Sequence, residues 1–302
     1  MTTLPLSARP GAVGAWVLAA RPKTLSAAVV PVVVGTAVAH ATGGVRVGPA
    51  LAALLGAVLL QIAANFANDV FDYEKGADTD ERLGPTRAVA SGLIPPARMR
   101  AALGLSLAAA FAIGIYLTAV AGPAIVIIGL LSMASAVAYT GGPYPLGYNG
   151  LGDVFVLGFF GFVAVGGTAF VQLGRVPAEA LIAALPVGAL ATAILVVNNI
   201  RDVDTDVKAG KRTLAVRFGR GFAVAEYAFL LVVSFTAPVV LLSRGFDALM
   251  LLPLATLPLA VFLFDRVRTE RGTVLNTRLA MTAALLLGFG VLLSAGIALG
   301  RP

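Results

Sequence analysis

Nine of the fifteen acids in this chain fall in two short windows, each lying where a long apolar run ends. The first reads NDVFDYEKGADTDE, from Asn68 to Glu81; the second reads NNIRDVDTDVKAGKRTLAVRFG and begins at Asn198. At helical spacing Asn65, Asn68, Asp69 and Asp72 fall within an arc of roughly 100°, and Asn198, Asp202 and Asp206 within about 80°. Each window therefore carries a stripe of amides and carboxylates on an otherwise apolar helix. Ionisable side chains at membrane depth are costly and face a polar cavity. Two such stripes facing each other repel unless a cation lies between them. With no cysteine and a single histidine, His40, the donors are hard oxygens, which suit Mg²⁺ or Ca²⁺ and not zinc or copper. Mg²⁺ is held by one or two carboxylates together with substrate phosphates. Lys75, Arg82 and Arg87 follow the first stripe, and Lys208, Lys211 and Arg212 follow the second. Carboxylates for a metal beside cations for anionic oxygens describe a diphosphate site. Outlying acids such as Asp78, Asp80, Glu81 and Asp204 are equally well read as solvated loop charges.

The elements that position these stripes are membrane helices. The chain has 302 residues, 59% hydrophobic and 12% charged, with a mean hydropathy of +0.93. A soluble domain carries about twice that charge. Charge-free intervals at 24–45, 47–68, 101–152, 154–174, 180–200, 227–243, 248–264 and 279–300 mostly match the roughly 20 residues that cross a bilayer. The interval 101–152 is too long for one crossing and is broken at Ala121-Gly122-Pro123 and Gly141-Gly142-Pro143, giving two spans there and nine in all. Lys and Arg accumulate on the cytoplasmic side. With the N-terminus inside, 18 of the 22 fall on that side, which puts the C-terminus outside and both acidic windows at cytoplasmic helix ends. The net charge of +7 then faces anionic lipid headgroups, and nucleic acid is not the expected partner. The start MTTLPLSARPGAVGAW lacks the pattern of a cleaved signal peptide. Trp16 and His40 read as interfacial side chains.

The motifs resemble those of the intramembrane aromatic prenyltransferase superfamily that includes 4-hydroxybenzoate polyprenyltransferases (UbiA-type). Its N-D-x-x-D motif appears as Asn68-Asp69-Val70-Phe71-Asp72 and its D-x-x-x-D motif as Asp202 to Asp206. A further aspartate often found four residues after the first motif is replaced here by Gly76. The runs GADTDERLGPTRAVASG, ARPKTLSAAVVPVVVG, YTGGPYPLGYNGLGD and VLNTRLAMTA are similar to the branch that prenylates 1,4-dihydroxy-2-naphthoate in menaquinone biosynthesis. The resemblance covers residues 20 to 285.

The resemblance implies an all-α, polytopic membrane protein in the cell (inner, cytoplasmic) membrane, with nine transmembrane helices around a central cavity open to the cytoplasm. Residues 1–302 would form one prenyltransferase domain, with about 1–15 as a flexible segment. It implies a transferase that uses Mg²⁺, two ions, with polyprenyl diphosphate and 1,4-dihydroxy-2-naphthoate as partners within the lipid bilayer. Metal ligation would fall to Asn68, Asp72, Asp202 and Asp206, with Asp69 as ligand or orienter. Diphosphate contacts would be Arg87, Lys211, Arg212 and Lys75, with Lys23 and Arg21 entering from the first span. Tyr139 would stand near the reacting carbon, and Asp153, Asn198 and Asn65 near the aromatic acceptor. Two alternatives stay open. One is another aromatic or lipid prenyltransferase; the other is a cation transporter, which acids near mid-membrane on broken helices would favour.

Overall fold

The computed structural model describes residues 10–79 and 81–300. The expectations placed on residues 1–9, Asp80 and Arg301 lie outside the described residues. Among the described residues there are helices and no strand. We number them α1 Ala12–Ala20, α2 Ser26–Thr42, α3 Val47–Glu74, α4 Pro96–Ala121, α5 Ala124–Ala138, α6 Gly152–Leu173, α7 Ala178–Lys208, α8 Leu214–Ser243, α9 Ala248–Thr269 and α10 Leu275–Leu299.

Seven of these, α3, α4 and α6 to α10, are long and apolar enough to cross a membrane, and α1 with α2, bent by 50° at the break, passes the same test only as a pair. This is a multi-pass membrane protein. The expected fourth span, α5, has 15 residues and reaches about 22 Å, short of the roughly 30 Å hydrocarbon layer. Helix α1 begins at Ala12, inside the stretch 1–15 expected to be flexible, so residues 12–15 are helical.

The break between α1 and α2 is built on Arg21, which adopts a left-handed conformation (φ 51°, ψ 69°) that costs a non-glycine residue about 1–2 kcal/mol. Asn65 of α3 offsets that cost. Its amide donates to the Ala20 carbonyl at 2.9 Å and to Thr24 Oγ1 at 3.0 Å, satisfying backbone that the break leaves open.

Helix α7 is the axis of the bundle. Its alanines at 180, 183, 184, 189, 191 and 193 are buried, and small residues let neighbouring backbones approach. At Gly188 the approach is closest: a Cβ there would lie 2.6 Å from the Leu157 carbonyl and 3.0 Å from Gly161 Cα. Gly161 belongs to a π-helical stretch, Leu157–Val163, inside α6. A second, smaller core joins α1 and α3 to the turn at 88–94 and the start of α4.

Candidate active site

Between these cores lies one cavity of about 620 Å³. Its walls come from α2 through α7, and its polar end gathers Arg21, Asn68, Asp72, Arg82, Arg87, Tyr148, Asn198, Asp202, Asp206 and Lys211. The C-terminal tips of α3 and α7, distant in sequence, therefore open on one space. Lys211 measures their approach: its Nζ is 3.7 Å from Asp72 Oδ1 and 3.7 Å from Asp206 Oδ1. The remainder of the wall is apolar, including Ile113, Ile128, Met133, Phe155, Phe159 and Val163.

Three of the four motif carboxylates, Asp69, Asp72 and Asp202, are held by specific donors. Asp69 is fully buried and takes the backbone N–H groups of Ala88 and Val89 at 3.1 and 3.0 Å. It orients the turn that carries Arg87 and does not line the cavity. Asp72 accepts from Arg87 Nη2 at 2.8 Å and from the Tyr148 hydroxyl at 2.6 Å. Asp202 is gripped through both oxygens by Arg201, whose fork also reaches Asn198 Oδ1 at 2.7 Å and Asn276 Oδ1 at 2.6 Å. Asn276 in turn donates to the Leu83 carbonyl at 2.8 Å. The second motif is thus fastened to α10 and to the loop that follows the first motif.

Several donors at the polar end have no partner. Arg87 Nη1 and Arg21 Nη2 are buried without a hydrogen bond. Both belong to cavity-lining residues, so the site can still receive anionic oxygens. Asp78 pairs with Arg82 at 2.7 Å and with Arg87 Nε at 3.4 Å. Burial, partly offset by Arg82, pushes its carboxyl up to about 6. It thus joins the two arginines.

Other expectations shift. Lys23 is exposed and does not line the cavity; Arg21, two residues earlier, does. The Arg212 side chain is exposed, while its backbone N–H donates to the Tyr148 carbonyl at 2.7 Å. Lys75 stands at the exposed rim, bonded to the Thr140 carbonyl. Asn65 lines the cavity but commits its amide to the α1–α2 break. Asp153 is buried with Oδ1 unpartnered and lies outside the cavity wall. It follows Gly152, where a Cβ would meet the Tyr139 hydroxyl at 2.9 Å. Asp204 is exposed, as a solvated charge should be. The sequence reading passed over Tyr148, Arg201 and Asn276. Arg201 looked like one more cytoplasmic cation, although its place between Asn198 and Asp202 was a usable signal.

Oxygen donors alone, from carboxylates and amides, fit a hard divalent ion. Among the described residues no three carboxylates or histidines form a ready cage. Mg²⁺ does not need one when phosphate oxygens complete its shell. Lys211 stands 3.7 Å from Asp72 and from Asp206, carboxylates that would help to hold such an ion.

The fold and site define an integral-membrane protein with a charged cavity head and an apolar cavity body. Residues 28–284 match the UbiA prenyltransferase family, and the chain belongs to it. It is 40% identical over 257 residues to a 1,4-dihydroxy-2-naphthoate octaprenyltransferase of Mycobacterium tuberculosis (strain ATCC 25618 / H37Rv), covering 85% of this chain and 87% of that one. It is 41% identical over 223 residues to the protein of that name from Escherichia coli (strain K12), covering 72% of each. Among solved structures, a UbiA homolog from Archaeoglobus fulgidus bound to GPP and Mg²⁺ matches with a TM-score of 0.65 at 17% identity, over 93% of this chain and 99% of that one.

Proposed function

We propose that this chain transfers a polyprenyl group from polyprenyl diphosphate to 1,4-dihydroxy-2-naphthoate, releasing carbon dioxide and pyrophosphate and giving the quinol form of demethylmenaquinone. The observation that carries the reading is Lys211, within 3.7 Å of a carboxylate from each motif at the head of an apolar cavity. The relatives named for this reaction support it.

In this reading the tail lies along the apolar wall and the diphosphate meets Arg87, Lys211 and Arg21 at the polar end. Asn68 and Asp72 on one side, and Asp202 and Asp206 on the other, would hold two Mg²⁺ ions, with Asp69 behind them. Bound there, Mg²⁺ supplies positive charge to the departing diphosphate. The arginines and Lys211 add fixed charge in a cavity of low dielectric. The allylic C1–O bond breaks with its electron pair on pyrophosphate. The carboxyl-bearing ring carbon forms the new C–C bond. The bond to the carboxylate then breaks, carbon dioxide leaves, and its electron pair restores the aromatic ring. No protein base is needed at that carbon. Tyr139 presents its ring near C1 and Asn198 meets the acceptor; Asp153, which the sequence assigned to the acceptor's hydroxyl, lies outside the cavity wall.

The orientation belongs to the same proposal: nine spans including the short α5, site and N-terminus cytoplasmic, C-terminus outside, in the cytoplasmic membrane, with residues 1–302 as one domain. Purified protein incubated with dihydroxynaphthoate, polyprenyl diphosphate and Mg²⁺ is expected to yield prenylated quinol. No product with any aromatic acceptor, together with Mg²⁺ flux in liposomes, would replace the enzyme by a transporter. Chelating the metal should lower turnover by at least about 10²-fold, with recovery when Mg²⁺ is returned. Residual activity unchanged by chelator would remove the metal from the reaction.

Tyr139 gives a further prediction. A Cβ at position 147 would lie 2.9 Å from its Cε1 and 3.1 Å from its carbonyl oxygen. Gly147→Ala must therefore push the ring or the loop. Turnover should drop on the order of 10- to 100-fold, as small misplacements in reacting geometry do, while pyrophosphate still binds. Unchanged turnover would show that Tyr139 has no part in positioning.

A further inference from the structure

The neutral loop between α5 and α6 contributes one polar side chain that touches both motifs, and nothing so far has given it a role. Tyr148 donates its hydroxyl to Asp72 Oδ1 at 2.6 Å. Its ring lies 4.8 Å from Lys211 Nζ and 4.7 Å from Lys75 Nζ. Its carbonyl accepts the Arg212 N–H at 2.7 Å, and the next carbonyl, of Asn149, takes Arg217 Nη2 at 2.8 Å. Asp72 and Lys75 belong to the first window, Lys211 and Arg212 to the second. One residue of a third segment thus joins the two.

The geometry around Lys211 defines what the ring contributes. Charge-assisted N–H···O bonds measure about 2.7–2.9 Å. At 3.7 Å from both Asp72 and Asp206, the ammonium is attracted by the carboxylates without a direct hydrogen bond to either. A π face attracts a cation electrostatically and leaves its N–H donors uncommitted. Lys211 is thereby placed while its donors stay free for another acceptor. Lys75 rests on the same ring at the exposed rim, anchored by the Thr140 carbonyl.

We propose that Tyr148 is a positioning residue that orients Asp72 through its hydroxyl and, through its ring, seats Lys211 in the cavity and Lys75 at its mouth to receive a diphosphate. The inference rests on the diphosphate reading of the site but not on the identity of the aromatic acceptor.

The test titrates inorganic pyrophosphate with Mg²⁺ into the purified full-length protein in lipid nanodiscs, by calorimetry. Tyr148→Phe keeps the ring and should bind pyrophosphate within about twofold of the wild type, while its turnover falls because Asp72 loses its donor. Tyr148→Leu should weaken binding by about tenfold or more, and raise the KM for polyprenyl diphosphate more than it lowers kcat. In a Lys75→Met/Lys211→Met background, Tyr148→Leu should add less than about a further twofold loss, because the cations it would seat are gone. The proposal is overturned if Phe binds as weakly as Leu, if Leu binds like the wild type, or if Leu costs the same in both backgrounds. A wild type that shows this pattern but prenylates no aromatic acceptor leaves Tyr148 in place and removes the proposed reaction. A wild type that binds no pyrophosphate removes both.

Discussion

Asp72→Ala should abolish prenyl transfer, by at least about 10³-fold, while the protein still inserts and purifies. Asp72 is the only motif carboxylate bound at once by Arg87, Tyr148 and, at longer range, Lys211. Its removal strips charge from the place where a divalent ion would sit. It also leaves Arg87 with Asp78 alone and Lys211 with Asp206 alone. Asp72→Asn separates these effects. The amide can still accept from Tyr148, so local geometry is kept while the charge is lost, and turnover should stay as low as in the alanine variant. Steady-state assays with both variants, beside thermal unfolding in detergent, make the check. Near-normal turnover in either would take Asp72 out of the metal site.

The second large effect is expected at Arg201, and it should appear in stability as well as activity. Its side chain is 1% exposed and commits its fork to Asp202, Asn198 and Asn276. A Cβ at Gly84 would lie 2.9 Å from its Nη2, so the loop after the first motif packs directly on it. Arg201→Ala leaves Asp202 buried without its partner. Breaking one side of such a pair costs about 3–5 kcal/mol. Arg201→Lys should recover little, because an ammonium cannot reproduce a bidentate fork with two further contacts. We expect a markedly lower melting temperature, and loss of turnover in whatever fraction remains folded. A variant with wild-type stability would mean that Asp202 finds other support. Asn276→Ala removes one arm of the same hub and should give a smaller loss in the same direction.

Much of this site could be read from residue types alone, for a physical reason. An amide or carboxylate repeated at helical spacing near the end of an apolar run has few structural uses, so Asn68, Asp72, Asp202 and Asp206 stood out. Cations were harder to sort. Near a membrane surface, Lys and Arg satisfy the charge bias whether or not they touch a substrate. Lys23 and Arg212 were consequently named alongside Arg21, of which only Arg21 lines the cavity, and Arg201 was left without a role. Tyr148 carried no local signal: its importance comes from three segments meeting. The fold was legible in its apolar intervals but not in its irregularities. Helix α1 has nine residues and no side-chain cap at its start. The π-helical stretch Leu157–Val163 contains no proline or charge that would announce it.

The two sides of the cavity are not equally rigid. On one side Gly161 and Gly188 press backbone to backbone, and no wider bore is available there without parting α6 from α7. On the other, Phe111, Ile115, Val126 and Leu130 of α4 and α5 line the cavity and stay exposed, not packed under other protein. Acyl chains that reach these side chains therefore help to fix the cavity's shape. Isoprenoid length preferences recorded in a detergent micelle should therefore drift when the protein is returned to lipid, and drift differently in thin and thick membranes.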